Sequence, residues 1–117
     1  MNNLIKTKDV IGVKVCNLQN EDIGKIEEIV LDKLSGEVRF AVLSFGGFLG
    51  MGDKHFPLPW HVLNYQPDQE AFVVNLDKEF LKNAPSFEKN SWPDFSEGLW
   101  DRNIIDYYRD VKLKKAA

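Results

Sequence analysis

Gly46-Gly47-Phe48-Leu49-Gly50-Met51-Gly52, followed at once by Asp53-Lys54-His55-Phe56-Pro57-Leu58-Pro59-Trp60, is the stretch on which the reading of this chain turns. Four glycines open positive φ and close backbone approach, and between them stand three large apolar side chains, Phe48, Leu49 and Met51. Such a loop either plugs the end of its own fold or offers an apolar contact to another chain. An exposed apolar cluster on a permissive backbone is unfavourable in a monomer, which tips the balance towards contact. Beyond the loop, His55 to Leu63 reads as extended. Pro57 and Pro59 cannot donate to a ladder, so they belong at an edge or corner.

Working towards the N-terminus, Val38, Phe40 and Val42 share one face of a strand whose other face carries Ala41, Leu43 and Phe45. Both faces are apolar, so this strand is central and covered on its second side by the tail or by another subunit. Lys33-Leu34-Ser35-Gly36 closes a hairpin, with Gly36 at a positive-φ position. Ile23 to Asp32 precedes it, and its apolar parity switches at Glu27-Glu28, the mark of a bulge. Ile11, Val13 and Val15 alternate with Gly12, Lys14 and Cys16, which predicts a first strand opening at Val10. Tyr65 to Gln69 reads as a turn, and Phe72, Val74 and Leu76 as the last strand.

After Asp77 the period changes from two to about 3.6. Asp77 is placed to cap a helix over Lys78 to Asn83 that Pro85 ends. Trp100, Ile104, Tyr107, Tyr108 and Val111 fall on one helical stripe, predicting an amphipathic helix laid on an apolar surface. Seven of the 14 aromatic residues lie in the 41 residues after Leu76, too many for a disordered tail. Trp92, Phe95 and Trp100 are expected to pack internally. The division is thus a β-barrel over 1–76 and an aromatic tail over 77–117, packed together as one structural domain.

At 117 residues and 44% hydrophobic composition, one core can be buried without metal or disulfide. A single cysteine, Cys16, cannot form an internal disulfide framework, and the chain opens with neither a charged n-region nor an apolar h-region. A cytoplasmic setting is expected. No apolar run approaches the roughly 20 residues of a membrane span. Net charge is −3, made of −3 before Leu76 and 0 after it, so neither half tracks phosphates and nucleic acid is an unfavoured partner.

Val10-Ile11-Gly12, Ile23-Gly24-Lys25-Ile26, Ser35-Gly36-Glu37-Val38, Gly46 to Gly50 and Pro59-Trp60, in that order, resemble the PRC-barrel family, modules named after the photosynthetic reaction-centre H subunit. Leu81 to Phe87, Trp92-Pro93 and Asp106-Tyr107-Tyr108 resemble the tail of stand-alone bacterial members, so the resemblance covers nearly the whole chain. It implies a small antiparallel β-barrel of about five or six strands with a helical C-terminal tail, serving mainly in assembly. The family spans the reaction-centre H subunit and a ribosome-maturation factor. On this reading the chain is expected to lack the membrane anchor of the first and the additional domain of the second, so neither role transfers directly.

Candidate chemistry is thin. His55 and His61 are six apart with two prolines between, too widely spaced for a tight metal site, and no further His or Cys completes a set. Cys16 has no local activation signal, no carboxylate pair is marked as an acid and base, and the glycine loop has no Gly-Lys-Ser/Thr ending. The reading is therefore a non-enzymatic module with no cofactor, a homodimer or a partner to another protein. Its candidate contact patch is Phe48, Leu49, Met51 and Trp60. The alternatives are a barrel mouth lined by Trp60, His55 and Phe48 that takes a small ligand, or a role related to the reaction-centre H subunit.

Overall fold

A computed structural model describes residues 4–45, 54–95 and 98–111. Its strands are β1 (Lys14–Asn17), β2 (Asp22–Leu31), β3 (Val38–Ser44), β4 (Lys54–Pro59), β5 (Asn64–Gln66), β6 (Ala71–Val74) and β7 (Phe87–Glu88). Three helical pieces accompany them, α1 (Thr7–Val10), α2 (Lys78–Lys82) and α3 (Gly98–Tyr107). The fold is mainly β, one seven-stranded sheet in the order β5-β6-β1-β2-β3-β4-β7.

Local sequence signals account for most of the sheet. The β2–β3 register shifts between Ile26 and Glu28, the bulge that the doubled glutamate predicts. Gly36 has a φ of 79° in the β2–β3 turn. Gly24, from the Ile23-Gly24-Lys25-Ile26 step, is required twice over. Its φ is 138°, and a Cβ there would sit 2.3 Å from the Ser44 carbonyl oxygen of the neighbouring strand.

Several sequence expectations need correction: Tyr65 and Gln66 lie in strand β5 and not in a turn, and the extended run expected to reach Leu63 ends at Pro59. Val10 does not open a strand: Thr7–Val10 is a helical turn and β1 starts at Lys14. The reason is Gly12, whose φ of 91° breaks the extended run, although the Gly12 N–H still donates to the Ile26 carbonyl at 2.7 Å. Nor is the sheet wholly antiparallel, because β1 and β6 pair in parallel. Beyond Pro59 a 3₁₀ turn, Trp60–Val62, carries the chain onward instead of reversing it. Strand β5 therefore runs in the sense of β4, and β6 returns in the sense of β1. Among the described residues the edge strands β5 and β7 do not pair with each other, so hydrogen bonds do not close the sheet.

The core lies on one face of β3 and β4, where Ala41 pairs with Leu58 and Leu43 with Phe56. Val15, Ile23, Ile26, Phe72 and Val74 join this cluster, and Leu81, Ile104 and Tyr108 enter it from beyond the last long strand. Strand β4 meets β7 only at Lys54 and His55, which leaves Pro57 and Pro59 facing no third strand. Asp77 accepts the Phe80 N–H at 2.7 Å and caps α2. Along α3 and the turn after it, Ile104 and Tyr108 are buried and Trp100, Tyr107 and Val111 partly so, the stripe that the sequence periodicity picks out.

Candidate interaction surfaces

The glycine loop leaves the sheet between Phe45, buried edge-to-face on Phe56 at 4.7 Å, and Lys54, which opens β4. Phe48, Leu49 and Met51 lie outside the described residues. Trp60 stands at the other end of β4, about 20 Å of extended chain from the loop's return point. Its half-buried ring packs 5.7 Å from Phe72, which in turn meets Tyr65 at 5.1 Å. Trp60 thus belongs to the β5–β6 end of the sheet. His55 is not beside it, being 6% exposed beneath Phe87 and Trp92.

That burial comes from the tail. Phe40, Val42, Pro57 and His55 alternate with the core residues of β3 and β4, so they share the opposite face, and Phe87 of β7 pairs beside His55. Across this face Phe95 approaches Phe40 and Phe87 at 5.9 Å each, Trp92 lies 4.8 Å from Phe87, and Trp100 lies 5.9 Å from Phe95. One ion pair fixes the helix to the strand, Arg39 to Asp101 at 2.6 Å. The tail is therefore what covers the second face of β3, one of the two candidate coverings read from its sequence, the tail or another subunit.

A third surface escaped the sequence reading. In the β2–β3 turn, Asp32 accepts the N–H groups of Leu34 at 2.8 Å and Ser35 at 3.1 Å, and the Gly36 N–H donates to the Asp32 carbonyl at 2.7 Å. The Ser35 and Leu34 amides hold the Asp32 carboxyl below its usual range, so the turn keeps this anchor at any ordinary pH. At its tip Leu34 is 94% exposed. Beside it runs a groove of about 440 Å³ whose lining includes Val30, Leu31, Phe40, Phe95 and the Arg39–Asp101 pair. Leu99, next to Gly98 in the groove wall, is 67% exposed. The signal was present in the sequence: a large aliphatic residue sits in mid-turn, where turn chemistry asks for none.

Polar groups elsewhere mostly serve the backbone. Asn17 accepts the Gln19 and Glu21 N–H groups at 3.1 and 2.9 Å and donates to the Glu21 carboxylate at 2.8 Å, shaping the β1–β2 turn. Cys16 is buried with Ala71 and Val73, its thiol making only long contacts, 3.8 Å to the Phe72 carbonyl and 3.7 Å to Gln69. His61 is exposed in the 3₁₀ turn while His55 is buried, so the two do not converge. Among the described residues no three His, Cys, Asp or Glu side chains gather as a metal set, and no helix is long and apolar enough to cross a membrane. Two buried polar atoms have no partner among the described residues, His55 Nδ1 and the Tyr108 hydroxyl.

Comparison with known proteins defines the class. The model of the PRC-barrel domain family matches residues 2–81, more than half of the chain, and the chain belongs to that family. Among solved structures it is similar to a 16S ribosomal RNA processing protein, RimM, from Pseudomonas aeruginosa. That match has 15% identity and a TM-score of 0.46, covering 64% of this chain and 45% of the other, so this chain spans less than half of that protein's length. No curated protein matches the chain.

Proposed function

We propose that this chain is a non-enzymatic protein–protein interaction module, a PRC-type barrel whose open sheet is closed by side-chain packing. It works in the cytoplasm, assembles as a homodimer or with another protein, and carries residues 1–76 and 77–117 as one unit. The observation that carries this reading is how the described side chains are spent. Asp32, Asp77 and Asn17 turn their oxygens onto the chain's own backbone, while Leu34 and Leu99 are held out in solvent. Apolar side chains held out on a fixed scaffold are the material of contact surfaces. Phe48, Leu49 and Met51 extend this apolar offer in sequence, and Trp60 supplies an anchor at the far end of β4.

The test is affinity recovery of partners from native-host lysate with the tagged chain, beside a Phe48→Ser/Leu49→Ser control and a Leu34→Ser control. A stoichiometric partner, or a second copy, that either control loses supports the module. Recovery of nothing beyond the monomer, together with turnover of a small molecule by the purified chain, would replace it with an enzymatic or ligand-binding role.

A further inference from the structure

We propose that the outer face of β1, β6 and β5 holds a binding site for a small carboxylic acid that also carries hydroxyl or amide groups. The site goes beyond the assembly reading and stands independently of it. Strand pairing sets Val15 and Phe72 of the core in one row with Tyr65, and Cys16, Val73 and Asn64 in the next, so the second row faces away from the core. A trough of about 530 Å³ opens there, a volume usual for small-molecule sites. Its floor is Cys16, Ala71 and Val73, a buried cluster separate from the main core. The two turns at its rim hold the two non-glycine residues with positive φ among the described residues, Asn20 at 62° and Glu70 at 49°. Backbone in that region is a cost met where a site needs its loops in one shape.

Carboxamides make the walls. Of the chain's nine asparagines and three glutamines, five line this one trough: Asn17 and Asn20 at the β1–β2 turn, Asn64 and Gln66 of β5, and Gln69 of the β5–β6 turn. Asn17 is spent on its own turn, and Gln69 meets the Cys16 thiol at 3.7 Å, but the Asn20, Asn64 and Gln66 side chains make no hydrogen bond among the described residues. A carboxamide both donates and accepts, so unspent ones suit a ligand with both kinds of group, as hydroxyls and amides have. The charge is one-sided. Among the described residues Lys14 is the one ionised side chain in the lining. It stands across the ladder from Lys25, and neither ammonium has an ion-pair partner among the described residues, a like-charge placement that costs stability and that an anion at Lys14 offsets. Asp22, which shares the neighbouring cavity with both lysines, is turned onto the Gly24 N–H at 3.0 Å. No described aromatic ring lines the trough to stack a base or a flavin, and a single ammonium suits one carboxylate better than a phosphate chain.

Isothermal titration calorimetry on the full chain tests this with two matched pairs, gluconate against glucose and acetylglycylglycine against its carboxamide. The expected result is saturable binding of at least one acid, about tenfold tighter than its neutral twin, the size of one charge-assisted contact. Lys14→Gln erases that preference, Asn64→Ala with Gln66→Ala weakens both twins, and Ala71→Leu, which fills the floor, abolishes binding. Lys14 is exposed, so its variant keeps the fold and decides the matter even where Ala71→Leu fails to fold, as melting curves will show. The Phe48→Ser/Leu49→Ser variant binds as the parent does, which separates this site from the assembly reading. Four probes that give no saturable heat at millimolar concentration overturn the proposal. So does a neutral twin that binds as tightly as its acid, or an acid preference that Lys14→Gln leaves unchanged.

Discussion

Strand β3 is knitted at both edges into β2 and β4 by ladders running along its length, whereas its second face is reached by the tail through ring contacts and one ion pair, and the two-residue β7 pairs with β4. These two kinds of attachment differ in cooperativity. A ladder fixes each residue through its neighbours. The tail's contacts are side-chain contacts that can be given up in groups, which places it at the lower end of local stability. The pair shows how a small domain can combine a firm scaffold with a separable cover.

Gly24→Ala should show the largest effect, because it strikes the ladder itself. A Cβ 2.3 Å from the Ser44 carbonyl, at a φ of 138°, combines overpacking with backbone strain. A loss of about 4 kcal/mol is expected, read as a collapse of the whole transition in urea. Ile104→Ala strikes the tail where it enters the shared core. About 3 kcal/mol should be lost, with limited proteolysis cutting the tail before the sheet. If both variants lose sheet and tail in a single transition, the contrast between the two regions is wrong.

Smaller changes sharpen the contrast. The Tyr108 hydroxyl is buried without a partner, so Tyr108→Phe should raise stability by about 1 kcal/mol in chemical denaturation. The same group sets an alkaline limit. Burial, and then neighbouring Tyr107, push the Tyr108 phenol well above its ordinary value; burial, and then Asp77, raise Tyr107. Unfolded tyrosines ionise near pH 10, so stability is intact below about pH 10 and falls as pH rises past it. Tyr108→Phe should flatten that fall, monitored by near-ultraviolet circular dichroism. Asp77→Ala should cost about 1 kcal/mol through the lost α2 cap. Arg39→Ala should cost about 0.5 kcal/mol, less at high salt, since its ion pair is partly exposed.

The features legible in the sequence were those with local causes. The Glu27-Glu28 parity switch, Gly36 in its turn, the Asp77 cap and the α3 stripe each follow from residues within a few positions. What was not legible depends on distant chain. Nothing near Val15 signals that its parallel partner is Phe72, and a two-residue strand at Phe87 has no periodicity to read. Of the candidate patch, Trp60 was read inside an extended run to Leu63, whereas β4 ends at Pro59 and Trp60 opens the 3₁₀ turn. Its distance from the glycine loop appears only once β4 is laid out. Leu34 stands in a turn whose local chemistry Gly36 already accounts for, so its exposure emerges only from the folded turn.

The parallel pair of β1 and β6 bears on the order in which the chain is made. Val15 and Phe72 are partners although 57 positions separate them, 72 less 15. Strand β1 emerges from the ribosome early, pairs with β2, and then keeps one edge open until Val74 has been synthesised. The sheet therefore cannot finish from its first half. Its completion waits on a late strand, a high-contact-order step that slows folding and leaves the β1 edge exposed during translation.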